Sequence, residues 1–526
     1  MSSEKIQILI AMSGYMLIVI GIGIFFAKRA QTNSDNYFLG GRSLGPWVAA
    51  MSAEASDMSG WLLMGLPGVA YWCGLADAAW TAIGLAVGTY VNWLIVAKRL
   101  RQYSTVSGNA ITLPDFFSNR FHEKKKILLT IAAVFILVFF TVYAASCFVT
   151  CGKLFSVLFD MPYHTTMIIG GVFVLVYTAL GGFLAESVSD FMQGVVMIIA
   201  LVVVLAVGVN AAGGFSAVIE NAKQIPGYLS MTEIAGPLVD ADGVQQAVNG
   251  VPQFGESGSY GFLSIISTIS WGLGYFGMPQ VLLRFMAIRR VKELKSARRI
   301  ATTWCLISLV VAVFIGILGR ALFPAHSDLM TASGAENVFV TISSSLLPAL
   351  LAGIVMAGIL AATISSSDSY LLIAASAVSK DIYKGVVKKN ASDKKVMNMS
   401  RIVLVLIAVV GMIIAWDENS VIFTIVSFAW AGFGATFGPV LLFSLFWKRI
   451  NRAGAVAGML SGGIMVFVWN LLLKPLGGVF GIYELLPAFV ISCIFIVVVS
   501  LFTAPPQQAI LDEFKAAKEY KDPVEN

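Results

Sequence analysis

The chain has 526 residues, 58% of them hydrophobic and only 12% charged, with a mean hydropathy of +0.84. A soluble domain carries about 25% charged residues, so the composition excludes one and indicates a polytopic membrane protein. The net charge of +6 follows from loop topology, and no nucleic-acid partner is implied. His122, His164 and His326 are scattered with no partner motif, which leaves little room for enzyme chemistry. Five cysteines fall in or beside apolar segments; Cys147 and Cys151 share a helix face and read as packing, and no disulfide framework is visible.

Apolar runs of about 20 residues, the length that crosses a bilayer, are expected at 6–27, 47–72, 76–97, 127–159, 163–182, 190–212, 259–283, 300–323, 337–379, 402–416, 420–447, 453–473 and 484–503. The first lacks a cleavage site and carries Lys28-Arg29 after it, so it reads as a retained span with its N-terminus outside. With that orientation, 30 of the 35 Lys and Arg residues fall in inner loops or the tail, the bias of the positive-inside rule. Thirteen spans then leave the C-terminus inside. The division expected is a peripheral helix and first inner loop (1–46), spans two to six (47–212), an outer loop (213–258), spans seven to eleven (259–447), two peripheral helices (448–503) and a cytoplasmic tail (504–526). The outer loop is a surface connection or an outer lid, and 337–379 has room for an extra surface helix.

Span two contains AAMSAEASDMSGWLLMGLP, residues 49–67, with Glu54, Asp57, three serines and Gly60 bunched together. A carboxylate at membrane depth costs at least ~2.5–3.5 kcal/mol on insertion scales and marks a functional site by default. The cluster predicts a helix that unwinds midway toward an ion or substrate. Span six opens with Ser187-Val-Ser189-Asp190, where Asp190 either caps a helix N-terminus or serves as a way-station for a cation. Span seven contains SWGLGYFGMP, residues 270–279, a second interrupted helix five spans after the first. Interruptions at corresponding places in two halves point to a transporter with inverted repeats, here five plus five. Span nine adds Thr363, Ser365, Ser366, Ser367, Asp368 and Ser369. Hydroxyls and carbonyls suit a hard cation, and Na⁺ needs fewer carboxylates than Ca²⁺. Trp61, Tyr143, Trp271 and Tyr275 stand near the breaks, where rings can close on a small pyrrolidine-like solute.

ASDMSGWLLMGLPG at 55–68, YTALGGFLA at 177–185, WGLGYFGMP at 271–279 with RFMA at 284–287, and SFAWAGFGATFGPVLLFSLFWKR at 427–449 resemble the sodium/solute symporter family, over about residues 6–503. Within it the motifs are most similar to members that carry proline. The resemblance implies an all-α membrane protein with a LeuT-like inverted-repeat core in the cell membrane, importing L-proline with Na⁺ as coupling ion, with no other cofactor and no obligate protein partner. It implies a sodium site of the Ala55, Met58 and Ala362 carbonyls with the Ser365 and Ser366 hydroxyls. Asp57 would be needed for sodium without being a direct ligand, Ser59 and Gly60 would neighbour both sites, and Asp190 would lie on the inward sodium path. Tyr143, Trp271, Tyr275 and Trp61 would face proline, and Arg42 would serve coupling. Span nine departs from the family pattern, since Ser366 stands for a threonine and Asp368 is an added carboxylate near the sodium site. Rival readings are a sodium symporter for a betaine, pantothenate or a sugar, a cation channel, and a transport-like sensor, which the short tail disfavours.

Overall fold

A computed structural model describes residues 2–30 and 39–522; residues 31–38 of the expected first inner loop and 523–526 of the tail lie outside them. Most of the described chain is helical. Two antiparallel pairs, Glu233–Ile234 with Gly258–Ser259 and Ala247–Val248 with Val251–Pro252, sit in the outer loop. Among the described residues ten helices are long and apolar enough to cross a membrane. Three shorter apolar helices, Trp61–Cys73, Tyr163–Ala179 and Phe262–Gly274, occupy other expected crossings.

Burial separates core from periphery. The most apolar stretches of Ala349–Val387 and Ile422–Phe446 are each 78% buried, against 17% for Ser3–Ile22 and 28% for Arg452–Leu476. A helix apolar all round that shows its surface needs lipid around it. Ser3–Ala30 packs on Tyr163–Ala211 and Ala349–Ser376, and Arg452–Val468 packs on Leu485–Phe502.

The expected loop at 183–189 is helical, within a helical run from Tyr163 to Ala211. That run cannot be straight. Tyr177 and Ser189 join hydroxyls at 2.7 Å, whereas twelve residues of straight helix separate Cα atoms by about 18 Å. The chain therefore turns back between Tyr177 and Ser189. Asp190 lies about two turns inside Phe183–Ala211, and its carboxyl accepts from Ser52 and Arg284, so the capping reading fails. The expected 337–379 segment divides at Pro348 into Val338–Leu346 and Ala349–Ser376.

Both predicted breaks are present. Pro46, at the first helical turn where its missing N–H costs nothing, starts a helix that ends at Asp57. Met58 leaves helical geometry (φ −88°, ψ 77°), and helix resumes at Trp61–Gly65 with π spacing. The seventh crossing runs as Phe262–Ile269, Trp271–Gly274 and Pro279–Ala287. Met278 is extended (φ −74°, ψ 107°), the conformation a following proline imposes.

Glycines let the second break sit close to its neighbours. A Cβ on Gly277 would stand 2.2 Å from the Phe433 carbonyl oxygen and 2.9 Å from the Gly438 nitrogen. Backbone cannot give way as a side chain can, and overpacking costs about 1–3 kcal/mol or more. Gly277→Ala should therefore lower the thermal midpoint of the detergent-purified protein, while Gly14→Ala, with nothing within 4 Å, should leave it unchanged.

Candidate functional site

The two breaks meet in the buried centre. Trp61 and Trp271 place their ring centroids 6.3 Å apart, and the Gln280 amide donates to Asp57 Oδ1 at 3.4 Å. Trp271 also packs against Phe423, Trp430 and Tyr483, and Tyr275 meets Trp430 edge-on at 5.1 Å. Tyr143 donates to the Asp57 carbonyl at 3.3 Å and stacks on Tyr370 at 4.2 Å. The Trp61 indole N–H reaches the same carbonyl at 3.2 Å. Two hydrogen bonds hold the freed segment's ends: Trp430 donates to the Trp271 carbonyl and Asn92 to the Tyr275 carbonyl. Ser59, Trp61, Tyr143, Trp271 and Tyr275 are all buried, and Gly60 lies so close to Thr150 that a Cβ would stand 2.4 Å from its hydroxyl.

On the opposite side of the first break, Ser365 Oγ donates to the Ala55 carbonyl at 2.8 Å and lies 3.2 Å from the Ala362 carbonyl. Ser366 Oγ approaches the same Ala55 oxygen at 3.4 Å. Four of the five expected sodium ligands therefore converge. The fifth, Met58, is where the helix opens, and its sulfur receives a contact from Ser308 at 3.7 Å. All these donors are neutral oxygens, suited to a weakly held hard cation. Asp57 turns its carboxyl toward Gln280 on the other broken helix. Glu54 faces away, accepting from Thr89 and Trp93 at 3.1 and 3.2 Å, and so ties the second crossing to the third.

One turn before Ala55, at Ser52, lies a charged network that sequence reasoning missed. Arg284, wholly buried, donates to Glu186, to Asp190 at 3.1 Å, to Ser369 and Ser52 at 2.9 Å each, and to the Gln280 carbonyl at 3.2 Å. Ser52 bonds Asp190 at 2.7 Å and Ser369 bonds Glu186. Asp368 accepts from the Ser369 N–H at 2.7 Å. Arg284 counts among inner-loop cations when the seventh span is ended at 283; the structure continues that helix to Ala287 and buries the guanidinium. Its place in the RFMA motif was the available signal. Gln280, Glu186, Tyr370 and Trp430 were likewise unmarked.

Arg42 stands where the first broken helix begins and the second one ends. It donates to the Met286 and Ala110 carbonyls and to Ser104 and Asn109. Beside it, Leu44 N–H bonds the Ala287 carbonyl at 3.2 Å and Arg289 N–H bonds the Leu44 carbonyl at 3.0 Å. At the other end, Glu336 takes Lys153 at 2.7 Å and the N–H groups of Ile422 and Phe423 at 2.9 Å each. It presses on Gly68 of the second crossing. Hydrogen bonds to charged groups contribute about 1.5–3 kcal/mol. Glu336→Gln should therefore lower the thermal midpoint, and adding Lys153→Met, which removes the stranded cation, should restore part of it.

A family model described as the sodium:solute symporter family matches residues 37–462. The chain belongs to the sodium:solute symporter family. Symporters described as sodium/proline symporters, from Staphylococcus aureus strains USA300 / TCH1516 and JH9, are 41% identical over 506 residues, 95% of this chain and 93% of theirs. A Na⁺-coupled sialic acid symporter, in a substrate-bound outward-open state, superposes with a TM-score of 0.74 at 17% identity, covering 95% of this chain and 99% of that one. A nucleobase-cation-symport-1 family transporter in a closed conformation gives 0.55 at 13% identity, over 92% and 100% of the two chains. At those identities the likeness carries the fold, a LeuT-like helical core. The symporter is a multi-pass membrane protein.

Proposed function

We propose that this symporter imports L-proline together with Na⁺ across the cell membrane by alternating access, with its N-terminus outside. The observation that carries the ion assignment is the meeting of the Ala55 carbonyl, freed at a helix break, with the Ser365 and Ser366 hydroxyls of the other repeat. Sodium binds there with the Met58 and Ala362 carbonyls. Asp57 reports the bound ion to the second broken helix through Gln280. Sodium shifts the outward–inward balance only by its differential affinity for the two forms. It then leaves inward past Asp190, one turn beyond Ala55 at Ser52. Asp368 biases the same path toward cations.

The proline reading rests on the 41% identical sodium/proline symporters and on the aromatic chamber. Proline's ring packs among Trp61, Tyr143, Trp271 and Tyr275, and its carboxylate faces the half-helix beginning at Ser59-Gly60, where the helix dipole favours an anion. Arg42 couples the two breaks at their inner ends. The driving force suffices: one Na⁺ carries one net charge, so ~100 mV supplies ~2.3 kcal/mol and a tenfold gradient ~1.4, which supports roughly 500-fold accumulation. The test is competition for labelled uptake by proline, a betaine, pantothenate and a sugar. Proline alone should compete, and Tyr275→Ala should raise its KM with little change in sodium dependence; competition by another solute and none by proline would overturn the substrate.

A further inference from the structure

Away from the transport core, a cavity of about 490 Å³ opens where the third crossing ends, between Ala97–Val106, the start of Leu294–Leu322 and the chain's last described residues. Lys98, Lys292, Lys295, Arg298 and Lys521 line it, against one carboxylate, Asp522. That carboxylate is already engaged: Oδ2 accepts the Val291 N–H at 2.6 Å, and Oδ1 lies 4.0 Å from Arg101. Among the described residues none of the five cations lies within ion-pair distance of a carboxylate. Five like charges around one small cavity repel one another, and the arrangement is relieved by a bound anion.

The position says which anion. Tyr90, Leu94 and Ile95, at 44%, 44% and 39% exposure, lie on the third crossing one to two turns before Lys98, and Leu94 is itself part of the lining. On the facing helix, Leu306, Ile307 and Val310 are exposed. Arg298 stands 5.6 Å from the Tyr90 ring centroid, bridging the apolar and basic surfaces. Through Leu94 the lining joins this exposed apolar surface to the cations, as at a membrane boundary. Basic pockets between membrane helices at that level suit lipid headgroups.

We propose that this cavity binds the phosphate-bearing headgroup of an anionic phospholipid. The lysines and Arg298 surround the phosphate, and an acyl chain leaves along Leu94. The headgroup joins three parts: the end of the third crossing, the segment following the second broken helix, and the tail. The tail is already pinned there by Gln102, which donates to the Tyr520 carbonyl at 2.7 Å. Bound lipid thus holds the inner ends together, independently of which solute is carried.

The test uses the full-length protein in detergent. Native mass spectrometry and thermal unfolding are followed while adding dioleoyl-phosphatidylglycerol, dioleoyl-phosphatidylcholine or inorganic phosphate. Phosphatidylglycerol should bind and raise the unfolding midpoint, while the other two should not. The triple variant Lys292→Gln, Lys295→Gln, Arg298→Gln should bind it on the order of a hundredfold more weakly, about fivefold for each cation removed. The control Lys388→Gln, Lys389→Gln, Lys394→Gln, of equal charge change on another inner loop, should bind as the parent does. If the first triple variant does not fold, Lys98→Gln and Lys521→Gln, at exposed positions, should each weaken binding. Equal binding by both triple variants would mean diffuse attraction and overturn the site. Stabilisation by inorganic phosphate to the same extent would make it a soluble-anion site and overturn the lipid assignment.

Discussion

Arg284→Met should cost roughly 3–5 kcal/mol and abolish uptake, because it removes one partner of a buried charged network and leaves the others uncompensated. Glu186, Asp190 and Asp368 would then share the buried core with no cation. Against a typical total stability of 5–15 kcal/mol this is a large loss. Arg284→Lys should recover only part of it. A lysine carries the charge but lacks the planar fork that reaches Glu186, Asp190, Ser369 and Ser52 together. Glu186→Gln should cost under about 1 kcal/mol, since Asp190 still pairs the guanidinium and an amide oxygen still accepts from it. The thermal midpoint in detergent, measured across the three variants, checks the order. Equal midpoints for Arg284→Met and Glu186→Gln would show that the network contributes little.

Ser365→Ala combined with Ser366→Ala should remove sodium coupling. Each hydroxyl is one oxygen of a proposed five-oxygen site, and a charge-assisted contact contributes about 1.5–3 kcal/mol. Each single variant should raise the sodium concentration for half-maximal uptake by at least about tenfold. Ser365→Ala should show the larger effect, since Ser365 touches both the Ala55 and Ala362 carbonyls. Ser366→Thr keeps the hydroxyl and should stay near the parent. Binding linkage is reciprocal, so proline should lose its sodium-dependent gain in affinity by the same factor by which sodium loses its proline-dependent gain. Unchanged sodium dependence in the double variant would remove these residues from the ion site.

The breaks at 57–60 and 275–279 were legible because carboxylates and hydroxyls bunched around a glycine at membrane depth mark the first, and three glycines with a proline in ten residues weaken the helix at the second. That Ser365 and Ser366 meet Ala55 followed from the family resemblance, since 310 residues separate the partners and no local pattern encodes that contact. The Arg284 network was hidden for a physical reason. A cation at the end of an apolar run is counted as loop, and only packing reveals that its helix continues to Ala287. Glu186 was lost with the supposed loop at 183–189, which is helical and places the carboxylate beside Arg284. Glu54 shows the opposite error of emphasis: as conspicuous in sequence as Asp57, it serves the Thr89 and Trp93 contacts of the third crossing. The basic cavity at Lys98 and Lys292 joins segments about 200 and 420 residues apart in sequence, and reads there only as ordinary inner-loop charge.

The most direct measurement is uptake of labelled L-proline into proteoliposomes holding the purified full-length protein, under an inward Na⁺ gradient and then with K⁺ in its place. Accumulation that requires Na⁺, and is lost in Asp57→Cys, is the predicted result. Proline accumulation equal in Na⁺ and K⁺ would contradict the account at its centre.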